Sequence, residues 1–422
     1  MHFRFIHTGD IHLDSPLRGL SRHDGPAAER IRTATRTAFS NLVDHTIDEA
    51  ADFLIIAGDL YDGDWRDYQT GLFFIKEMGR LAKANIPVFL LYGNHDAESQ
   101  LTKRLTLPDN VRAFPARKPQ TFEIKEFRVA LHGQSFRQPA VTENLAIAYP
   151  APVPGSFNIG VLHTGLGGMG GHTNYAPCSL DDLVNKGYDY WALGHVHQGA
   201  VLHQNPYVVF CGNLQGRHIQ EPGARGAYLV AVDDGRVSEL VPLQADVIRW
   251  AHIPVKVGTD ENVAELVAQI GRAVEQAVAQ DGGGRLLACR IELNGPTKLH
   301  DYILSSRKQL TAEARAAALA LGGEAAWVER LVVATEPPAL GSRTAREEDQ
   351  NGLSQIMTSA SQEAELHKQL EADLGDLVRK LPFDIRSSAD GGLLKAAIAG
   401  DYAQIMNEAS RYLSALLGAK DA

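Results

Sequence analysis

Along the first half of the chain, short apolar runs that end in polar clusters alternate with longer stretches whose apolar positions recur every three to four residues. "FRFIHTGDIH" (3–12) reads as a strand and its exit, positions 27–50 as helix, and "DFLIIAGDLYDGD" (52–64) as a second strand and exit. "TGLFFIKEMGRLAKANI" (70–86) predicts a helix stopped before Pro87, and "PVFLLYGNHD" (87–96) a third strand. This βαβα order predicts strands covered by helices, with ligands gathered beyond the strand C-termini. Further strands are expected at 127–133, 157–165, 188–199, 207–213 and 226–235.

From "AHIPVKVG" (251–258) the pattern changes to strand, helix (261–280), strand (284–295), helix (298–321) and strand (326–335). A polar, Pro-containing connector (336–352) follows, and helical periodicity then runs to the end, notably over 393–419. The expected organisation is a catalytic domain over 1–245, a small α+β domain over 246–340 and a helical segment over 341–422.

Composition adds bounds. The 422 residues suffice for two or three domains, and 44% hydrophobic with 22% charged residues is ordinary for a globular chain. A formal net charge of −10 does not favour nonspecific nucleic-acid binding, so contact with DNA needs a local basic patch or metal ions. Cys178, Cys211 and Cys289 form no C-x-x-C pair, which argues against a disulfide framework or zinc ribbon and for buried thiols in a reducing compartment. The N-terminus runs straight into a strand, and no run of about 18 apolar residues occurs. The expectation is a cytoplasmic protein with no membrane partner.

The chemistry sits at the strand ends. Asp10 and His12 close the first strand, Asp59 the second, and Asn94 and His95 the third; His163 ends "IGVLH", and His195 and His197 end "WALGHVH". Any one of these alone reads as a satisfied polar residue at a strand exit, and "GNHD" alone as a turn. Together they present mixed carboxylate, imidazole and amide donors, which suit manganese, iron or zinc and fit magnesium poorly. There are ligands enough for two ions, with Asp59 able to bridge a pair about 3.5–4 Å apart.

The order "GDIH", "AGDLYD", "YGNHD", "LHTG" and "GHVH" over residues 1–245 resembles the calcineurin-like metallophosphoesterases. "IHTGDIHLDSPLRGL" (6–20), "GDLYDGDW" (58–65), "HTNYAPCSLDDL" (172–183) and "GNLQGRHIQEPGARGAYLV" (212–230) are similar to the YhaO-like branch of the SbcD-type DNA-repair exonucleases. The resemblance implies an α/β fold: a metallophosphoesterase β-sandwich flanked by helices, then a small α+β capping domain and a helical C-terminal segment. It also implies that Asp10, His12, Asp59 and His197 hold one ion and Asp59, Asn94, His163 and His195 the other. Two divalent ions are expected, manganese first, with iron or zinc as alternatives. His95 would face the scissile phosphate and stabilise charge or protonate the leaving oxygen.

The implied function is a two-metal phosphodiesterase, a DNA exonuclease or endonuclease in DNA repair, in which metal-activated hydroxide attacks phosphorus. Its implied partners are DNA and an SbcC-like coiled-coil ATPase, and the helical tail could equally serve a homodimer or simple core packing. Two alternatives stand beside it: a small phosphodiester, cyclic nucleotide or phosphomonoester as substrate, and a non-catalytic partner subunit of the ATPase. Many nucleases of the group carry a histidine where Asp62 stands, which puts double-strand exonuclease activity in question. Asp62 and Asp64 are expected to be solvated turn residues. Arg18, Arg22, Arg217 and His218 are the candidate phosphate contacts. "GLGGMGGH" (165–172) lacks the lysine and hydroxyl of a P-loop and reads as an active-site loop, with His172 exposed.

Overall fold

The first strands are apolar on both faces because each face meets a different layer. In a computed structural model, which describes residues 1–15, 17, 27–62, 68–98, 106–168, 174–259, 262–322, 324–338, 364–381 and 392–418, contacts group into two units. One comprises Met1–His252, Val274–Arg290 and Ala318–Glu329, the other Ile253–Ala273, Ile291–Ala317 and Arg330–Ala422.

The strands of the first unit are β1 (His2–Thr8), β2 (Phe53–Ala57), β3 (Val88–Leu91), β4 (Val111–Ala113), β5 (Gln120–Ile124) and β6 (Val129–Gly133). They continue with β7 (Phe157–His163), β8 (Tyr190–Gly194), β9 (Ala200–Gln204), β10 (Tyr207–Phe210), β11 (Gly226–Asp233) and β12 (Arg236–Gln244). They form two six-stranded sheets, ordered β12-β11-β1-β2-β3-β4 and β5-β6-β7-β8-β10-β9.

Period-2 alternation sends Phe3, Phe5, Phe53, Ile55 and Phe89 into one core with Leu131, Ile159, Val161 and Tyr190 of the other sheet. Phe5 and Phe53 stack in register, their ring centroids 5.0 Å apart. The alternate residues Ile6, Leu54, Ile56 and Leu90 pack on Phe39, Leu42, Phe74, Met78 and Leu81, which belong to α2 (Ala34–Asp48) and α3 (Tyr68–Lys83), the helices after α1 (Ala27–Arg32). Full burial of each of these side chains contributes about 1.5–3 kcal/mol. Helices therefore cover only the outer face of the first sheet, and the second sheet covers its inner face.

Strands β1, β2, β3 and β4 run parallel, as do β6, β7, β8 and β10. Their C-terminal ends thus emerge together, which is the feature that positions the site.

Three expected helices are broken. The one over 27–50 divides at Thr33, whose hydroxyl donates to Glu29 O (2.9 Å). The one over 298–321 divides between His300–Ser305 and Arg307–Ala320, where Ser305 Oγ donates to the carbonyls of Asp301 and Tyr302 in competition with the backbone. The C-terminal pattern splits into Gly392–Ala399 and Tyr402–Gly418, because Gly400 takes φ 72° and Asp401 caps the next helix by accepting from Gln404 N (3.0 Å). In the second unit Tyr402–Gly418 packs against His300–Ser305 and Gly392–Ala399.

Strands β13 (Ile248–Lys256), β14 (Leu286–Pro296) and β15 (Ala326–Glu336) form a three-stranded sheet in that order. The expected boundary at 245 falls between β12 and β13; the one at 340 lies outside the described residues. Among the described residues no helix is long and apolar enough to cross a membrane.

Two predictions follow from the sandwich. A Cβ at Gly160 would overlap the ring of Trp191, which is fully buried and stacks on Tyr149. Gly160→Ala is expected to lower the unfolding free energy by about 1–3 kcal/mol in urea titration.

His7, fully buried, donates from Nε2 to Leu193 O (3.2 Å) and accepts at Nδ1 from Tyr190 Oη (3.0 Å). Burial pulls its pKa down from 6.5 to about 3. Between those values the unfolded chain binds the proton and the folded one does not, so this contribution to stability is complete above pH 6.5 and is lost as pH falls toward 3. Stability measured against pH should fall less steeply in His7→Gln than in the wild type; an equal slope would contradict the assignment.

Candidate metal centre

Each expected ligand stands at or just past the end of a strand, and the turns that place them are strained. Asp10, His12, Asp59 and His195 take positive φ (48°, 46°, 51° and 98°), which residues with a side chain seldom adopt. Hydrogen bonds hold them there. Asp10 N donates to Gly58 O (2.9 Å), His12 N to Asp59 O (3.0 Å), His95 N to Asp59 Oδ1 (3.0 Å) and His195 N to Asp10 Oδ2 (2.9 Å). Gly58 (φ 105°) precedes Asp59, and a Cβ there would strike the His163 ring, so glycine is required twice over.

Among the described residues the expected ligands converge in two groups, and a third, His12 with Asp62 and His95, adjoins the first. Asp10, His12 and His197 offer ligand atoms within 4.8 Å of one another, and so do Asp59, His163 and His195. Asn94 joins the second group, its Oδ1 lying 2.9 Å from His163 Nε2. Asp59 lies between the groups, with Oδ2 3.4 Å from His163 Nε2 and 3.9 Å from His12 Nε2.

The orientation of the rings tests whether a cation fits. His163 Nδ1 donates to Ala57 O (3.0 Å), so Nε2 is the nitrogen that faces Asn94 Oδ1 and Asp59 Oδ2, where a proton on the ring or a cation meets the two oxygens. His197 Nδ1 donates to Glu221 Oε1 (2.7 Å), and its Nε2 faces His12 Nε2 at 3.3 Å. A divalent ion can take the place of the shared protons among these carboxylate, imidazole and amide donors, so the residues fit a pair of divalent ions.

The proton affinities respond to the same crowding. Burial, with Asp59 nearby, pushes Asp10 up to about 7. Burial, with the Arg217 charge, pulls His12 down to about 4, and burial holds His197 well below 6.5. Burial opposes charge on His163, but the Asp59 carboxylate outweighs it and raises His163 to about 9. Asp59 itself is held well below the usual carboxylate range because the His163 and His95 rings outweigh its burial.

Around this centre the structure corrects one expectation. Asp62 is not a solvated turn residue: its carboxylate accepts from Ser15 Oγ (2.7 Å) and lies 3.3 Å from both His12 Nδ1 and His95 Nδ1, and 3.6 Å from Arg217 Nη1. The approach to His12 Nδ1 lacks hydrogen-bonding alignment, so that contact is electrostatic. His95, with 38% of its side chain exposed, is the open histidine beside Asp62.

Arg217 and His218 are held inside. Arg217 Nη2 lies 3.4 Å from His197 Nδ1 and 3.8 Å from Glu221 Oε1, and His218 Nε2 lies 3.3 Å from Glu221 Oε1. Arg18, Arg22, Asp64 and His172 lie outside the described residues.

Two residues escaped the sequence reading. One is Glu221. The other is Asp96, which accepts from Leu60 N (3.1 Å), Tyr61 N (2.9 Å) and Gly93 N (2.9 Å) and so ties the Asp59 turn to the turn that opens the short helix α4 (Asn94–Glu98). Its position three residues after Gly93 is the local signal for such a cap.

Residues 3–199 match the calcineurin-like phosphoesterase model, and residues 250–336 match the middle domain of the metallophosphoesterase YhaO. Residues 3–199 are thus a calcineurin-like metallophosphoesterase domain, and a YhaO-type middle domain follows it. It is 37% identical over 270 residues to the uncharacterized metallophosphoesterase YhaO of Bacillus subtilis (strain 168), covering 63% of this chain and 66% of that protein. It is 25% identical over 204 residues to the DNA double-strand break repair protein Mre11 of Sulfurisphaera tokodaii, covering 47% and 50%. Both matches span less than two thirds of the relative. Among solved structures, a dimetal phosphatase from Danio rerio aligns with 10% identity and a TM-score of 0.34, over 55% of this chain and 93% of that one; so low a score carries no argument.

Replacing Asp96 by alanine strands three backbone donors at the floor of the site. Asp96→Ala should destabilise the chain by at least about 2 kcal/mol in urea titration. Asp96→Asn, which keeps one acceptor oxygen in place, should lose less.

Proposed function

We propose that the chain is a two-metal phosphodiesterase acting on DNA. The observation that carries the reading is the pair of donor groups, Asp10/His12/His197 and Asp59/His163/His195, with Asp59 between them. In this reading Asp10, His12, Asp59 and His197 hold one ion and Asp59, Asn94, His163 and His195 the other. The donor set suits manganese, iron or zinc, with manganese the first choice. Two such cations, when bound, neutralise phosphate charge and lower the pKa of a water.

The chain's own groups do the rest. Asp59 shares its carboxylate between the two sites and keeps them at a fixed separation. His195 N, donating to Asp10, locks one ligand by means of the backbone of another. His95 presents a proton to the departing oxygen, its ring oriented by Asp62 3.3 Å away. The Asp62 carboxylate is engaged by Ser15, His12, His95 and Arg217, which offsets its repulsion of a nearby phosphate.

DNA as substrate, and a repair role of the SbcD type, rest on the likeness to Mre11 and on the family branch. A capping role for 246–340, and docking of 341–422 on an SbcC-like ATPase or on a second copy, belong to the same proposal by family resemblance. A small phosphodiester is the second reading: Arg217, the candidate phosphate contact nearest the ligands, has only 13% of its side chain exposed and is engaged with Asp62, His197 and Glu221.

Cleavage of labelled single- and double-stranded DNA with manganese, beside an aryl phosphodiester, separates the readings. Wild type should cut both. Asp59→Asn should abolish turnover, and His95→Ser should lower it about 10²–10⁴-fold on DNA. Turnover of the aryl diester alone would move the assignment to the small-substrate reading, and full activity in Asp59→Asn would remove the shared-ligand role.

A further inference from the structure

One histidine of each donor group, His163 and His197, is backed differently. His163 gives its Nδ1 proton to a neutral acceptor, the carbonyl of Ala57 (3.0 Å). His197 gives its Nδ1 proton to the carboxylate of Glu221 (2.7 Å). An imidazole that donates to a carboxylate is a more basic ligand at its other nitrogen than one that donates to a carbonyl, and its ring is held in the ligating tautomer.

Glu221 is built for this task. It is 5% exposed, and its second oxygen, Oε2, accepts from Asn213 Nδ2 (2.8 Å) and Arg217 N (2.6 Å), which fixes the carboxylate plane. Asn213 is held in turn: its Oδ1 accepts from Arg225 Nη1 (3.1 Å), and the same nitrogen donates to the carbonyl of His197. The residues that orient Glu221 thus also hold the backbone of the histidine it serves.

We propose that Glu221 is a positioning residue that makes the Asp10/His12/His197 site the tighter of the two, so that divalent ions load in sequence, that site first. The inference rests on the two-metal reading above. Glu221 acts through His197 and makes no contact with a substrate of its own. It is a cleaner probe than Asp62, which touches His95 as well as His12.

The test is calorimetric titration of chelator-stripped full-length protein with manganese, with no substrate present. Wild type should bind two ions with distinct affinities. Glu221→Ala should weaken the tighter class about 10–100-fold and leave the weaker class unchanged. Glu221→Gln should fall between, since a single amide oxygen cannot serve both His197 and the Asn213/Arg217 pair; its near-native volume also guards against a variant that fails to fold, checked by circular dichroism. Cobalt in place of manganese supplies a spectroscopic readout, the visible band of the first ion bound changing in Glu221→Ala.

Two ions bound by Glu221→Ala and Glu221→Gln with wild-type affinities would overturn the role of Glu221 alone. Equal affinities in the wild type would overturn sequential loading. A wild type that binds fewer than two ions would overturn the two-metal reading and this inference with it.

Discussion

The structure depends on one electrostatic constraint: acceptor lone pairs converge at the apolar end of a β-sandwich, where water cannot screen them. Asp10, Asp59, His12 and His163 are essentially buried, and their donor atoms face one another across 3–4 Å. Such an arrangement is costly without a cation, by several kcal/mol for each buried ion. The strained turns make sense in that light. Four ligands at positive φ are tolerable because backbone donors and glycine spacing hold them, and because a cation would repay the convergence.

The fold supplies this geometry through parallel strands. Their side-by-side C-terminal ends bring residues from 10 to 197 into one cluster, where His195 N donates to Asp10 and His163 meets Asn94. Packing on both faces of the first sheet, phenylalanines inward and helices outward, makes the platform rigid enough to keep the turns in register. Asp96 and Glu221 then tie the turns to one another, Asp96 from the side of Asp59 and Glu221 from the side of His197. One is a backbone staple and the other a side-chain clamp.

Much of the site was legible in the sequence because its ligands follow directly on apolar runs: "GDIH", "AGD", "GNH", "LH" and "GHVH" mark both the strand ends and the donors. What was not legible depends on chain segments folding back. Glu221 meets His197 across 24 residues and Asp96 meets Leu60 across 36, and neither partner is implied by local pattern. Asp62 looked like a turn residue because the sequence does not show that the turn closes over His12 and His95. The edge strands β5 and β9 are half-exposed and too polar to stand out. No strand was expected over 236–244 either, although Asp234-Gly235, both at positive φ, form the two-residue hairpin turn into β12, and its Pro242 suits an edge position.

Anomalous diffraction at the manganese edge, from crystals of the full chain grown with manganese, tests whether two cation sites share Asp59. Two peaks are expected, one among Asp10, His12, Asp59 and His197 and one among Asp59, Asn94, His163 and His195, each within ligand distance of an Asp59 oxygen. A single peak, or peaks away from Asp59, would contradict it.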